Sequence, residues 1–283
     1  MKRTSSIKRR KQLKSLLSNG VMMFVMLLYL LPFWYIVNNA LKVKRYISIE
    51  PFILRPETFT LDNLANAFKK MKYLTAFQNS LITLLLSCVL FVVLGSMTGY
   101  AIATYKSRLT NGAYVFFISL IALPFQAAMV PLVSMMNDIG LSNSFLGLAL
   151  IYAAMFMPFI VFLYTGFMRS LPKELMEAAA IDGCSYVQTY TLVYMPLLKT
   201  ITGIVLVLRG TYVWNDLQVP LIVINDASMQ TLQQKLYVFS QSRIGNLDLV
   251  FAGALIVCLP LVVAFLLMQK SFIRAIMAGS IKG

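Results

Sequence analysis

Histidine is absent from this sequence of 283 residues, and cysteine occurs only three times. Without imidazole, the side chain that most often moves protons or binds metal near neutral pH is missing. Cys88, Cys184 and Cys258 lie far apart, two of them inside apolar segments, so neither a disulfide framework nor a metal-ligand spacing is present. A GxxxxGK[ST] loop for nucleotide phosphates and a GxSxG nucleophile turn are lacking too. These absences disfavour hydrolase or redox chemistry within a membrane, and any nucleotide that drives this chain must be bound by another one. Charge is also scarce: 12% of residues are Asp, Glu, Lys or Arg, against roughly a quarter in soluble domains.

What remains is 59% hydrophobic with a mean hydropathy of +0.76, the composition of a membrane protein. The 25 basic and 10 acidic side chains leave a formal charge of +15. On a soluble chain that excess would suggest nucleic acid. Here the basic residues occupy tails and loops between apolar runs, where they face anionic headgroups and set orientation, so no nucleic-acid partner is expected.

Six segments are long enough to cross about 30 Å of hydrocarbon at about 1.5 Å per residue. They are 21–40, 81–103, 113–133, 146–167, 201–224 and 249–267. The expected organisation is a basic tail over 1–20, a first span with its external loop over 21–75, a core of five spans over 76–270 and a C-terminal tail over 271–283. Lys2, Arg3, Lys8, Arg9, Arg10, Lys11 and Lys14, with no acid among them, hold the N-terminus in the cytoplasm. A signal peptide is the other reading of this start, but the apolar run continues without a small-residue cleavage site. Six spans place both termini in the cytoplasm of a multi-pass protein of the inner or plasma membrane. Fifteen basic residues then fall inside and nine outside, with Arg209 in a span. The first external loop is unexpectedly basic, and its 51–64 stretch has the mixed polarity of a small folded cap.

One polar stretch interrupts the apolar sequence at 171–199, LPKELMEAAAIDGCSYVQTYTLVYMPLLK. Good helix formers fill 171–180, with Pro172 suited to a first turn. Asp182-Gly183 ends that helix, Gly183 taking positive φ at low cost. Ser185 to Gln188 is a capping box that starts a second helix at once, before Met195-Pro196 redirects the chain.

Glu177-Ala178-Ala179, Asp182-Gly183, Tyr190, Val193, Met195 and Pro196 in this register resemble the EAA loop of the membrane-spanning subunits of ATP-binding-cassette importers. Val193 and Met195 stand where Ile and Leu are commoner. Trp214-Asn215-Asp216 followed by Pro220-Leu221 is similar to the WND…PL segment of carbohydrate-uptake permeases. The stretch from Thr231-Leu232 to Phe239 resembles the external segment those subunits carry next, and Ala278-Gly279-Ser280-Ile281-Lys282-Gly283 resembles their AGAVKG ending. The resemblance covers roughly 75–283 and is nearest to the smaller permease subunit of maltose-type importers.

It implies an all-α, six-span permease subunit that is not itself an enzyme and moves a sugar or oligosaccharide by alternating access. It also implies a homologous second permease subunit, two ATPase subunits that bind the ATP and Mg, and an extracytoplasmic solute-binding protein; no cofactor is expected on this chain. Glu177, Ala178, Ala179, Asp182, Gly183 and Pro196 would couple to an ATPase, and Gly279 and Lys282 in the tail would touch one, the other reading being a solvated basic tail.

Three intramembrane features remain double-sided. Gly95 and Gly99 form a small-xxx-small face, read as helix packing in preference to substrate contact. Pro124 and Pro131 should kink the third span beside Gln126, a candidate path residue or an interhelix hydrogen-bonding group. In the fifth span Arg209, Tyr212 and Asp216 fall on one helical face, with Thr211, Asn215 and Gln218 beside it. Ionisable groups there face a partner or a wet cavity, so the cluster is either translocation path or structural glue. A secondary transporter is a rival class, but no internal repeat is evident. A permease for amino acids, polyamines or phosphate would share the EAA loop. The six-span orientation is tested by thiol labelling: an impermeant maleimide should modify Cys184 only from the cytoplasmic side of sealed vesicles, and reaction from outside would refute it.

Overall fold

The computed structural model describes residues 2–241 and 246–280, with side chains placed for 15–241, 246–267 and 269. Regular structure among these residues is helical, apart from one antiparallel bridge between Lys42 and Phe59. In chain order the helices are α1 (Lys2–Ala40), α2 (Lys44–Ile47), α3 (Asp62–Lys70), α4 (Tyr73–Thr104), α5 (Arg108–Ile121), α6 (Met129–Asp138) and α7 (Phe145–Arg169). Then come α8 (Glu174–Ile181), α9 (Tyr186–Gln188), α10 (Met195–Leu197), α11 (Lys199–Asn215), α12 (Gln218–Val223), α13 (Leu232–Gln241) and α14 (Leu247–Ser280). A 3₁₀ turn covers Phe125–Ala128, and a π-helical stretch, Thr189–Tyr194, joins α9 to α10.

Among the described residues, Ser15–Ala40 of α1, α4, α7 and Leu247–Leu267 of α14 are each long and apolar enough to cross a membrane. Two sharply bent pairs bring the possible number of spans to six. These pairs are where the structure departs from the expected segments.

The third span is not one kinked helix over 113–133: α5 and the segment Phe125–Asp138 meet at 97°. Pro124 accounts for the break, because it biases the residue before it away from helical backbone and brings no N–H of its own. Pro131 falls in the first turn of α6, where that loss is harmless. The fifth span does not run through 201–224 either. Its helix stops at Asn215, and the span-length pair is Tyr186–Leu197 with α11, bent by 71°. Helix α1 also reaches back to Lys2, through the basic segment expected as a tail.

The chain divides into two compact units, Met1–Met71 with Val238–Cys258 and Lys72–Tyr237 with Leu259–Gly283. In the first, the stretch after α1 is folded around buried polar groups. The Asn38 and Asn39 amides donate to the Pro51 carbonyl at 2.9 and 3.0 Å, and Asn63 donates to the Ala40 and Lys42 carbonyls. Lys42 is fully buried and its ammonium donates to the Glu50 carbonyl. Burial pushes that ammonium below the ordinary lysine pKa, and the negative charge of Glu50 offsets part of the effect.

The second unit is centred on α7, whose Tyr152, Ile160 and Tyr164 are fully buried. Helix α4 lies against it through its small-residue face. A Cβ on Gly95 would collide with the Ile160 side chain, and one on Gly99 would stand 2.7 Å from Tyr164 Cβ and 3.2 Å from the Thr165 backbone nitrogen. Close approach of backbones is the source of helix association in lipid, where apolar burial supplies no driving force, so these glycines serve packing. Accordingly Gly99→Ala should destabilise the purified protein by about 1–3 kcal/mol, seen as a lowered unfolding midpoint in detergent. Gly166→Ala, with nothing within 4 Å of the added atom, should leave that midpoint unchanged.

Candidate functional site

The polar stretch after α7 is a capped helix followed by a tight reversal. Gly183 has φ +75°, the Cys184 N–H donates to the Ala179 carbonyl at 2.9 Å and the Gly183 N–H to the Ala180 carbonyl at 3.1 Å. That is the paired bonding of a helix ended by a left-handed residue. The next helix starts with a reciprocal cap: Ser185 N–H donates to Gln188 Oε1 at 2.8 Å, and Gln188 N–H to Ser185 Oγ at 3.3 Å. Pro172 lies just before α8 rather than in its first turn, and the chain turns at Leu198, after Met195-Pro196 has entered helical backbone.

Ala179 is buried, whereas Glu177, Ala178, Asp182, Gly183 and Pro196 are exposed. Around the reversal, Ile181 is 86% and Val187 67% exposed. The stretch therefore presents apolar side chains beside a carboxylate on a rigid, capped support.

It is fixed to α4 by tyrosines. The Tyr100 ring is buried with centroids 4.6 Å from Tyr186, 5.2 Å from Tyr190 and 4.9 Å from Tyr194. Hydrogen bonds join the same elements, Ser96 Oγ to Tyr190 Oη at 2.7 Å and Thr104 Oγ1 to Tyr186 Oη at 2.8 Å, while Tyr100 donates to the Tyr186 carbonyl at 3.2 Å. The Tyr190 and Tyr194 contacts come from the π-helical stretch. A wider turn of this kind recurs at functional sites.

The polar residues of the fifth segment separate into two groups. Leu208, Thr211, Tyr212, Asn215, Asp216 and Gln218 line one open cavity of about 470 Å³. Arg209 does not line it: its guanidinium lies over the Phe159 and Phe156 rings at 4.0 and 4.7 Å, a desolvated cation held by aromatic faces.

Asp216 is not on the helical face with Arg209 and Tyr212, because α11 ends one residue earlier. Its buried carboxylate accepts from Tyr152 Oη at 2.8 Å and from the Gln218 and Val219 N–H groups at 3.2 and 3.1 Å. Those last two are donors at the start of α12 that have no helical partner. The carboxylate thus caps α12 at the break after α11. Asn215 is exposed at the cavity, its amide donating to the Thr211 carbonyl.

Gln126 is exposed on the turn between α5 and α6 and is not among the residues lining that cavity. Gly279 belongs to the backbone of α14, and Lys282 lies outside the described residues. Sequence reasoning missed the buried Gln234, whose amide donates to the Pro220 and Ile224 carbonyls while its oxygen accepts from Thr231 N–H. It also missed Asn79, which donates to the Ser228 and Gln230 carbonyls, and Asn143, which accepts from Asn225 and Asp226 N–H. An isolated Asn or Gln beside an apolar run is the only trace these groups leave in sequence.

Residues 92–277 match the family of binding-protein-dependent transport system inner membrane components. The chain is 34% identical to the melibiose/raffinose/stachyose import permease protein MelC of Bacillus subtilis, covering 90% of this chain and 92% of that protein. It is likewise 34% identical to the probable starch degradation products transport system permease protein AmyC of Thermoanaerobacterium thermosulfurigenes, over 90% of this chain and 93% of that one. A chain in the crystal structure of a bacterial ABC transporter involved in the import of the acidic polysaccharide alginate shares the fold, with a TM-score of 0.82 at 18% identity, covering 93% of this chain and 97% of its own.

Two substitutions separate structure from surface in the 470 Å³ cavity. Asp216→Ala strands the buried Tyr152 hydroxyl and should cost about 1–3 kcal/mol, read as a lowered unfolding midpoint and yield. Asn215→Ala should leave both unchanged.

Proposed function

Because this chain belongs to the family of binding-protein-dependent transport system inner membrane components, we propose that the solute it passes as a permease subunit is a sugar or oligosaccharide. The subunit is part of an importer complex. In our reading its partners are a homologous permease subunit, two ATPase subunits that bind ATP and Mg, and an external solute-binding protein. Both termini lie in the cytoplasm.

The observation that carries this reading is a continuous mechanical path. Helix α8 and the reversal at Gly183 present Ile181, Val187 and Glu177 outward, suited to a cleft on an ATPase. Displacement of a capped helix is transmitted, where a flexible loop would absorb it. The tyrosine strap passes it to α4, and the bend at Leu198 passes it to α11. At the far end of α11 and the start of α12, Tyr212, Thr211, Asn215 and Gln218 offer hydroxyl and amide groups with an aromatic ring, chemistry that suits a polyhydroxylated solute. ATP-driven closure of the partners would thereby alternate the exposure of that cavity. The sugars named for MelC and AmyC support the same solute class. In this scheme Asp216 fixes the helix break beside the path and Arg209 packs behind it, Gln126 stands on the exposed turn between α5 and α6, and the Gly279 and Lys282 tail docks on an ATPase.

Uptake by the reconstituted complex with its binding protein tests the reading. Asn215→Ala should lower uptake of an oligosaccharide about tenfold, the equivalent of one lost hydrogen bond to the solute, while assembly is retained. Equal uptake of polyamines, amino acids or phosphate would refute the sugar assignment. Gly183 has space around it, so its substitutions act through the backbone. Gly183→Val should uncouple ATP hydrolysis from uptake more than Gly183→Ala, because a β-branched residue fits positive φ worst. Normal coupling in Gly183→Val combined with Glu177→Ala would show that the stretch is an idle loop.

A further inference from the structure

A second, larger cavity of about 730 Å³ lies where α8 meets the ends of α4 and α7, and it is lined by three cations, Lys106, Arg169 and Lys173. All three sit at helix ends. Arg169 is the last residue of the α7 span, Lys106 follows the end of α4 by two residues, and Lys173 immediately precedes α8. The ion pair found among the described residues joins Arg55 to Glu50 elsewhere in the chain, so none of these three is neutralised by a carboxylate within 4 Å. Glu177 also lines the cavity, without pairing to them. Arg169 is held in place by the Tyr114 ring, 4.4 Å from its guanidinium carbon. Apolar wall comes from the half-buried Ala103, Leu171 and Met176, with the buried Ile102 and Met168 behind them.

Three unpaired cations above an apolar wall, at the boundary where spans leave the hydrocarbon, match a phosphate anion attached to an apolar body. We propose that this cavity binds the phosphate headgroup of an anionic phospholipid. Basic pockets between spans at the cytoplasmic surface attract such headgroups, and the surface charge of the inner leaflet adds to the local concentration. A soluble phosphate would satisfy the cations but leave the apolar wall uncovered. An acidic protein segment would have to enter the interfacial layer to cover Ala103 and Leu171. Because Met176 and Glu177 of α8 also line the cavity, and Tyr194 joins it to the Tyr100 cluster, a bound lipid braces the helix that we read as the coupling element. That consequence and the placement at the inner leaflet rest on the proposed function; the gathering of three cations around one cavity does not.

The test uses the assembled complex, stripped of lipid in detergent and titrated with phosphatidylglycerol, phosphatidylcholine or inorganic phosphate, with retention read by native mass spectrometry. Phosphatidylglycerol should be retained selectively. Replacing one cation, as in Lys173→Gln, should weaken its retention about fivefold, and Lys106→Gln with Arg169→Gln and Lys173→Gln about a hundredfold. Unfolding midpoints should stay unchanged, and the exposed Lys173→Gln serves alone if the triple variant does not assemble. Equal retention of the two lipids, or selectivity that survives in the variants, would overturn the proposal. So would inorganic phosphate bound as tightly with the same dependence on the cations, which marks a soluble-anion site. Loss of ATPase subunits from the triple variant with lipid selectivity intact would assign the cavity to a protein partner instead.

Discussion

The close approach of α4 to α7 is the constraint on which the second unit depends. Lipid tails are as apolar as the side chains that face them, so helices associate there through close van der Waals contact and hydrogen bonds. Gly95 and Gly99 remove the Cβ atoms that would otherwise meet Ile160 and Tyr164. With α4 seated that closely, its opposite ends can serve as attachment points. Ser96, Tyr100 and Thr104 hold the 186–190 segment at one end, and Asn79 and Ser80 hold the 228–232 backbone at the other. One helix packed without clearance thus carries both the element that would receive mechanical input and a loop that shapes the far surface.

Helix breaks within an apolar chain require an explicit account of the backbone donors and acceptors they release. At the break between α11 and α12 that account is complete for the key groups: the Asp216 carboxylate takes two backbone N–H groups and the Tyr152 hydroxyl. Gln234 takes the carbonyls that follow α12, at Pro220 and Ile224. Charged and amide side chains in these segments are therefore divided between two tasks. Asp216 and Gln234, which stabilise the break, are buried and hydrogen-bonded even though Asp216 also borders the cavity, whereas Asn215 and Gln218 are exposed there. The same distinction separates Arg209, which lies over two phenylalanine rings, from the residues around it.

Features that depend on neighbours along the chain were legible in the sequence. The helical membrane class, the reversal at Gly183 and the Ser185–Gln188 cap follow from composition, 3.6-residue periodicity and bonds across three to five residues. The family was legible for the same reason, since its motifs are local. Other features required the fold. The breaks after Ile121 and Asn215 could not be placed from hydropathy alone, because apolar residues resume beyond each of them. The role of Asp216 depends on Tyr152, 64 residues earlier, and the tyrosine strap on Ser96 and Tyr190, 94 residues apart. The Asn79 clasp reaches across 149 residues. Lys106, Arg169 and Lys173 read in sequence as ordinary positive charges of inner loops, and only the packing of α4, α7 and α8 gathers them around one cavity. Sequence encodes short-range torsional and capping preferences directly, whereas pairings between distant side chains arise from how helices approach one another, which here is set by two glycines and the volumes opposite them.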